Sequence, residues 1–211
     1  MHIDQLTVIS FVTLVAAVIL HEIAHGVVAF FFGDNTAREA GRLTLNPVPH
    51  IDPFGSIILP ALGALSGVPI IGFAKPVPVN PNRMRNPRRD MLVVSLAGPG
   101  SNLLLMFVSA FVARSLYRPP FLGLDRQPLA VQVTVLFATV NLFLGLFNLL
   151  PIPPLDGAAL LERVLPREWL PAWHRFRPYG MLVIFGLVFW GGLPGHLFEP
   201  FLTRLYGYIL G

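Results

Sequence analysis

LTVISFVTLVAAVILHEIAHGVVAFFF, residues 6–32, is an apolar run long enough to cross a bilayer, with three ionisable side chains set into it. A hydrocarbon core of about 30 Å takes about 20 residues of helix to span. A charged group inside it carries a penalty of roughly 2.5–3.5 kcal/mol on insertion scales, so ionisable residues at such depth mark a functional site. On a helix His21 and His25 project from one face about one turn apart, near enough for both rings to bind one metal ion. Glu22 starts at the same level and can reach a water on that metal. The spacing is H-E-x-x-H, in which two imidazoles hold Zn²⁺ and the carboxylate is the general base of metal-assisted hydrolysis.

Composition points the same way. The 211 residues are 54% hydrophobic and 12% charged, with mean hydropathy +0.66, whereas a soluble domain carries about 25% charged residues. The expectation is a single polytopic membrane domain spanning 1–211, embedded in the lipid bilayer as a multi-pass protein of the cell membrane. The net charge of +4 gathers in loops without a groove-like pattern. It is read as a topology signal, not as a nucleic-acid surface. The chain has no cysteine, which excludes disulfides, Cys₄ metal sites and cysteine catalysis. The N-terminus lacks a basic leader and a small-residue cleavage site, so the first helix is expected to be retained.

The pattern predicts an all-α membrane protein of about four helices, over roughly 6–32, 91–113, 129–150 and 179–206. The last is broken by Gly191, Gly192, Pro194 and Gly195. Residues 51–74 are apolar yet interrupted by Pro53, Gly55, Pro60, Gly63, Gly67, Pro69 and Gly72. Such a segment suits a re-entrant loop buried in protein or beside a wet cavity. Strand-like alternation at 41–46 and 74–79 adds a membrane-embedded β-hairpin within 40–79 as an expectation. The loops 75–90 and 156–177 are rich in arginine and are assigned to the cytoplasm. Helix one then runs inwards, helix two outwards and helix three inwards. His25 and His21 fall about 14 and 20 Å from the cytoplasmic end near Asp34, at about 1.5 Å per residue.

Two imidazoles leave a catalytic zinc one protein ligand short. His2, His50, His174 and His196 lie in loops or at segment ends. Asp156 is the better candidate. It ends Asn148-Leu149-Leu150-Pro151-Ile152-Pro153-Pro154-Leu155-Asp156-Gly157, where three prolines stop helix three and let the backbone fold back towards helix one. Gly157 permits a sharp turn or a close approach. Asn102, in Ala97-Gly98-Pro99-Gly100-Ser101-Asn102, and Asn148 are amides near the inner ends of helices two and three. They either bind an extended peptide or an oxyanion, or serve as helix–helix hydrogen-bonders. His50 and Asp52 are either supports of the site or interfacial loop residues.

These motifs resemble the site-2 protease family of intramembrane zinc metalloproteases. The likeness rests on HEIAH, GRLTLNPVPHIDPFGSIILP, KPVPVNPNRMRNPRRD, AGPGSN and NLLPIPPLDG, and covers about residues 10–160. It implies that His21, His25 and Asp156 bind one zinc, that Glu22 is catalytic, and that transmembrane protein substrates are cut in regulated intramembrane proteolysis. It also implies a membrane-embedded hairpin in 40–79. The PDZ and CBS domains of many relatives do not fit this length. Two rivals remain: a metal-ion or small-solute transporter, for which no inverted repeat is visible, and a silent zinc-binding scaffold, against which an intact Glu22 counts.

Overall fold

The computed structural model describes residues 4–58, 74–189 and 193–211. Among them the architecture is helical and contains no strand. Helix α1 spans Gln5–Phe31, α2 Thr36–Glu39, α3 Pro87–Leu116, α4 Leu129–Asn148, α5 Gly157–Val164, α6 Leu170–Phe176, α7 Gly180–Phe189 and α8 Leu193–Leu210. Only α1, α3 and α4 are both long and apolar enough to cross a membrane among the described residues. Of the expected fourth span, 179–206, the described parts are helical, as α7 up to Phe189 and α8 from Leu193; residues 190–192 lie outside the described residues.

Local chemistry sets the helix ends. Asp4 caps α1 by accepting the Thr7 N–H at 2.7 Å, satisfying one of the donors that a helix start leaves orphaned. Helix α3 begins earlier than hydropathy suggests, at Pro87, because its first turn is polar: proline has no N–H to lose there, and Asp90 accepts the Asn86 N–H at 2.8 Å. The expected re-entrant region falls largely on residues 59–73, outside the described residues. Its described flanks are irregular, with a short turn at Val48–His50, a wide helical turn at Pro53–Ile58 and no regular structure over 74–80. These flanks are tied together where Lys75 donates its N–H to His50 O at 2.9 Å and Arg42 binds Lys75 O at 2.5 Å.

Helix α3 packs against both α1 and α4, and α1 also meets α4. Met106, Ala110 and Ala113 of α3 pack on Val131, Val135, Ala138 and Leu142 of α4, with Leu205 and Ile209 of α8 closing this core. Small residues at the contact let the backbones approach closely, as membrane helices require. Phe11, Val12, Leu104, Phe107 and Phe111 point outwards, as lipid-facing side chains do. The helices alternate in direction. Gln5 at the start of α1 reaches Gln132 near the start of α4, while Phe32 O, just past the end of α1, accepts the Arg85 N–H ahead of α3. The end of α1, the start of α3 and the end of α4 therefore share one side.

Asp34 holds that side together. It is almost fully buried and accepts hydrogen bonds from Thr36 N at 3.0 Å, Thr36 Oγ1 at 2.5 Å and Asn80 N at 2.6 Å. Burial alone would raise its carboxyl, but these donors hold it below the ordinary carboxylate value. The group thus adds stability that is fully present above the unfolded-state value near 3.8 and is lost as pH falls through the lower folded-state value. Asp34→Ala should lower stability by about 2–3 kcal/mol at neutral pH and flatten the acid limb, as read by thermal unfolding in detergent across pH.

Candidate metal centre

His21 and His25 are four apart on the buried face of α1, and each ring is gripped at Nδ1. His25 Nδ1 lies 2.7 Å from the backbone oxygen of Val94 on α3. A carbonyl oxygen only accepts, so His25 Nδ1 carries the proton and Nε2 presents a lone pair. His21 Nδ1 lies 2.6 Å from Asn102 Oδ1, also on α3, giving the same tautomer. The two Nε2 atoms face each other at 3.0 Å. Asp156 Oδ2, just ahead of α5, lies 3.2 Å from each. That oxygen is buried and has no hydrogen-bond donor, because neither Nε2 has a hydrogen to offer while the rings are neutral.

Three acceptors thus converge with nothing between them to bind. A tetrahedral ion with ligand distances of about 2.0–2.1 Å has edges of about 3.3–3.4 Å, close to the separations found here. Among the described residues, His21, His25 and Asp156 are the group of side chains able to hold a metal ion. The donor set, two imidazoles and one carboxylate, suits zinc with an open fourth position.

Two glycines make this convergence sterically possible. A Cβ on Gly98 would fall 2.5–2.6 Å from His21 atoms and closer still to His25 Nε2, so α3 carries a notch in which both imidazoles sit. Pro99 follows it and leaves Ser95 O without its usual helical donor, one residue from the carbonyl that His25 uses. At the other side of the site, a Cβ on Gly157 would lie 2.5 Å from Leu150 O and closer to Leu149 O. The proline string therefore folds back over the end of α4 and carries Asp156 to α1.

Other residues singled out in the sequence occupy different places. Glu22 Oε2 accepts the Val77 N–H at 2.7 Å, which ties the extended stretch before α3 to the middle of α1. Asn102 is fully buried, bound to His21 on one end and to Asn141 of α4 on the other at 2.8 Å. It supports a ring and does not face an open cleft. Asn148 donates to Leu144 O of its own helix at 3.0 Å. His50 is buried beside Thr44 O at 3.1 Å, and Asp52 accepts the Gly55 N–H at 2.7 Å; these bonds are local to their loop. Asn141 has no assignment in the sequence analysis; an amide inside the apolar run of α4 is the signal that could have found it.

A cavity of about 810 Å³ reaches Asp156 from the side on which α3 starts. Ser95, Pro153 and Leu155 line it near the carboxylate, together with Arg88, Arg163, Arg167 and Arg177. Of the three converging side chains the cavity meets that of Asp156.

Comparison with known proteins agrees with this geometry. The family model "Peptidase family M50" matches residues 124–190, which include Asp156. A Bacillus subtilis protein named "Putative zinc metalloprotease YwhC" is 39% identical over 199 residues, covering 91% of this chain and 84% of that protein. A Mycolicibacterium smegmatis protein, Rip2, carries the same description and is 34% identical over 190 residues, covering 85% of this chain and 66% of its own. The chain belongs to peptidase family M50, the site-2 protease family. Membership makes it a zinc metalloprotease. No solved structure matches it.

The notch gives a sharp test. Gly98→Ala should reduce zinc retained through purification to a small fraction of the parent level, because the added methyl displaces both rings. Gly100→Ala, where a Cβ meets open space, should keep it. Elemental analysis of the two variants reads the difference.

Proposed function

We propose that this chain is an intramembrane-cleaving endopeptidase that hydrolyses peptide bonds in or near the transmembrane segments of membrane-protein substrates, as in regulated intramembrane proteolysis. The observation that carries the reading is the meeting of Asp156 with His21 and His25 of α1, a helix of bilayer-spanning length. His21, His25 and Asp156 would hold the metal, one per chain. Zinc, when bound, supplies Lewis acidity, which can bring a water's pKa to about 7 and polarises a carbonyl.

The remaining chemistry belongs to side chains. Glu22, next to His21 on α1, takes a proton from the attacking water and delivers it to the leaving amine. His25 and His21 keep their Nδ1 protons committed to Val94 O and Asn102, so their rings stay oriented through turnover. Asn148, at the end of α4, is placed in this reading near the unwound substrate, because a helical peptide bond is shielded and must open locally before attack. The substrate and water approach from opposite quarters: lipid for the former, the arginine-lined cavity for the latter.

In this reading that cavity opens on the cytoplasmic side, which the basic loops 75–90 and 156–177 support. Single cysteines at Asn82, Arg126 and Glu168, all exposed in a chain without cysteine, report the orientation by impermeant thiol labelling of intact cells. Only position 126 should react; labelling at 82 and 168 in its place would invert the assignment.

The decisive variant is Glu22→Gln, which keeps volume and hydrogen-bonding capacity but removes the base. In a reconstituted assay on a model transmembrane substrate, cleavage should fall by at least roughly 10²–10⁴-fold, with zinc content unchanged on the same samples. Parental cleavage in a zinc-replete Glu22→Gln protein would end this mechanism. Metal flux surviving in liposomes with no cleavage by the parent would favour a transporter.

A further inference from the structure

Asn141 touches none of the three converging ligands, yet it stands at the end of a chain of amides that leads to one of them. It is fully buried in the middle of α4. Its Nδ2 lies 2.8 Å from Phe137 O, and its Oδ1 lies 2.8 Å from Asn102 Nδ2. Asn102 Oδ1 in turn lies 2.6 Å from His21 Nδ1. An amide side chain has an ambiguous sense until something fixes which end is oxygen and which is nitrogen. Here the Phe137 carbonyl fixes it, because a carbonyl oxygen can only accept. Nδ2 of Asn141 must face Phe137, so its Oδ1 must face Asn102. Asn102 must then offer Nδ2 to Asn141 and Oδ1 to His21. His21 is left to donate from Nδ1, which bares Nε2 towards Asp156 and His25.

We propose that Asn141 is a positioning residue for the metal centre: it sets the sense of Asn102 and, through it, the tautomer of His21. His25 needs no such relay, since a backbone carbonyl holds it directly. The two imidazoles are therefore oriented by different means, one by the backbone of α3 and one by side chains that cross from α4. A metal-ligating imidazole usually has its other nitrogen bound by a carboxylate, a carbonyl or a water, and losing that partner costs about 10–100-fold in metal affinity. In this chain the partner is an amide, which would serve equally well turned the wrong way round. A second amide is what prevents the turn.

The relay rests on the metal reading for its purpose but not for its test. The full chain, labelled with ¹⁵N-histidine in detergent, reports each ring's tautomer without metal, and competition with a chromophoric chelator reports zinc affinity. Asn141→Leu, of similar volume, should mix the tautomers of His21 while leaving His25 as Nδ1–H. It should also weaken zinc binding by roughly 10–100-fold. Asn141→Asp should behave as the parent on both counts, because in this buried position its protonated carboxyl donates to Phe137 O and offers Asn102 the other oxygen as acceptor. Asn102→Asp gives His21 an acceptor whichever way it turns, so adding Asn141→Leu in that background should cost far less than in the parent. Asn141→Ala is read in the same way if Asn141→Leu does not fold.

Parental tautomer and affinity in Asn141→Leu would overturn the proposal. So would an equal loss in the Asn102→Asp background, or a change at His25 matching that at His21, since each marks a packing defect. A chain whose His21 tautomer follows residue 141 but which binds no zinc would leave the relay standing and overturn the metal reading.

Discussion

Three electron-rich atoms, His21 Nε2, His25 Nε2 and Asp156 Oδ2, face one another at 3.0–3.2 Å with no donor among them. In water such a cluster would spread apart or pick up protons. In a buried site it persists only if the fold holds each member from behind, and a cation in the middle relieves it without protonating a ring. Much of the rest of the structure answers to that requirement. Val94 O and Asn102 grip the rings from α3, the notch at Gly98 gives them room, and the chain after α4 folds back to bring the carboxylate.

The consequence is a site built from three helices that are far apart in sequence and alternate in direction. Packing of α3 on both α1 and α4 fixes the rings, and the core of Met106, Ala110, Val131, Val135 and Leu142 fixes α3 on α4. The loop that follows α1 is bound to the same frame. Asp34 ties it to Asn80, and Glu22 takes the N–H of Val77. Within Pro76-Val77-Pro78 that N–H is the single backbone donor, since proline has none. An extended peptide lying along this stretch would find carbonyl acceptors there.

In the proposed intramembrane reading, the cavity that reaches Asp156 answers a conflict inherent in hydrolysis at membrane depth: ligands set among apolar helices must still be met by the water that the reaction consumes. The cavity is lined by Asp156 and by Arg88, Arg163, Arg167 and Arg177, while the outward faces of α1 and α3 are apolar.

Much of this was legible in the residues themselves. Apolar length marked the three helices long enough to cross a membrane, because a helix in lipid must satisfy its backbone internally. The i, i+4 spacing put His21 and His25 on one face, and the prolines before Asp156 announced a chain reversal. The start of α3 was not legible: the helix extends past its apolar stretch because capping, not hydropathy, sets its start. Asn102 and Asn141 were visible only as amides in apolar helices. Which end of each faces which neighbour depends on the rotation of α4 about α3 and on one backbone oxygen, that of Phe137. Sequence determines which polar atoms must find partners inside the membrane; only the packed helices decide which partners they find.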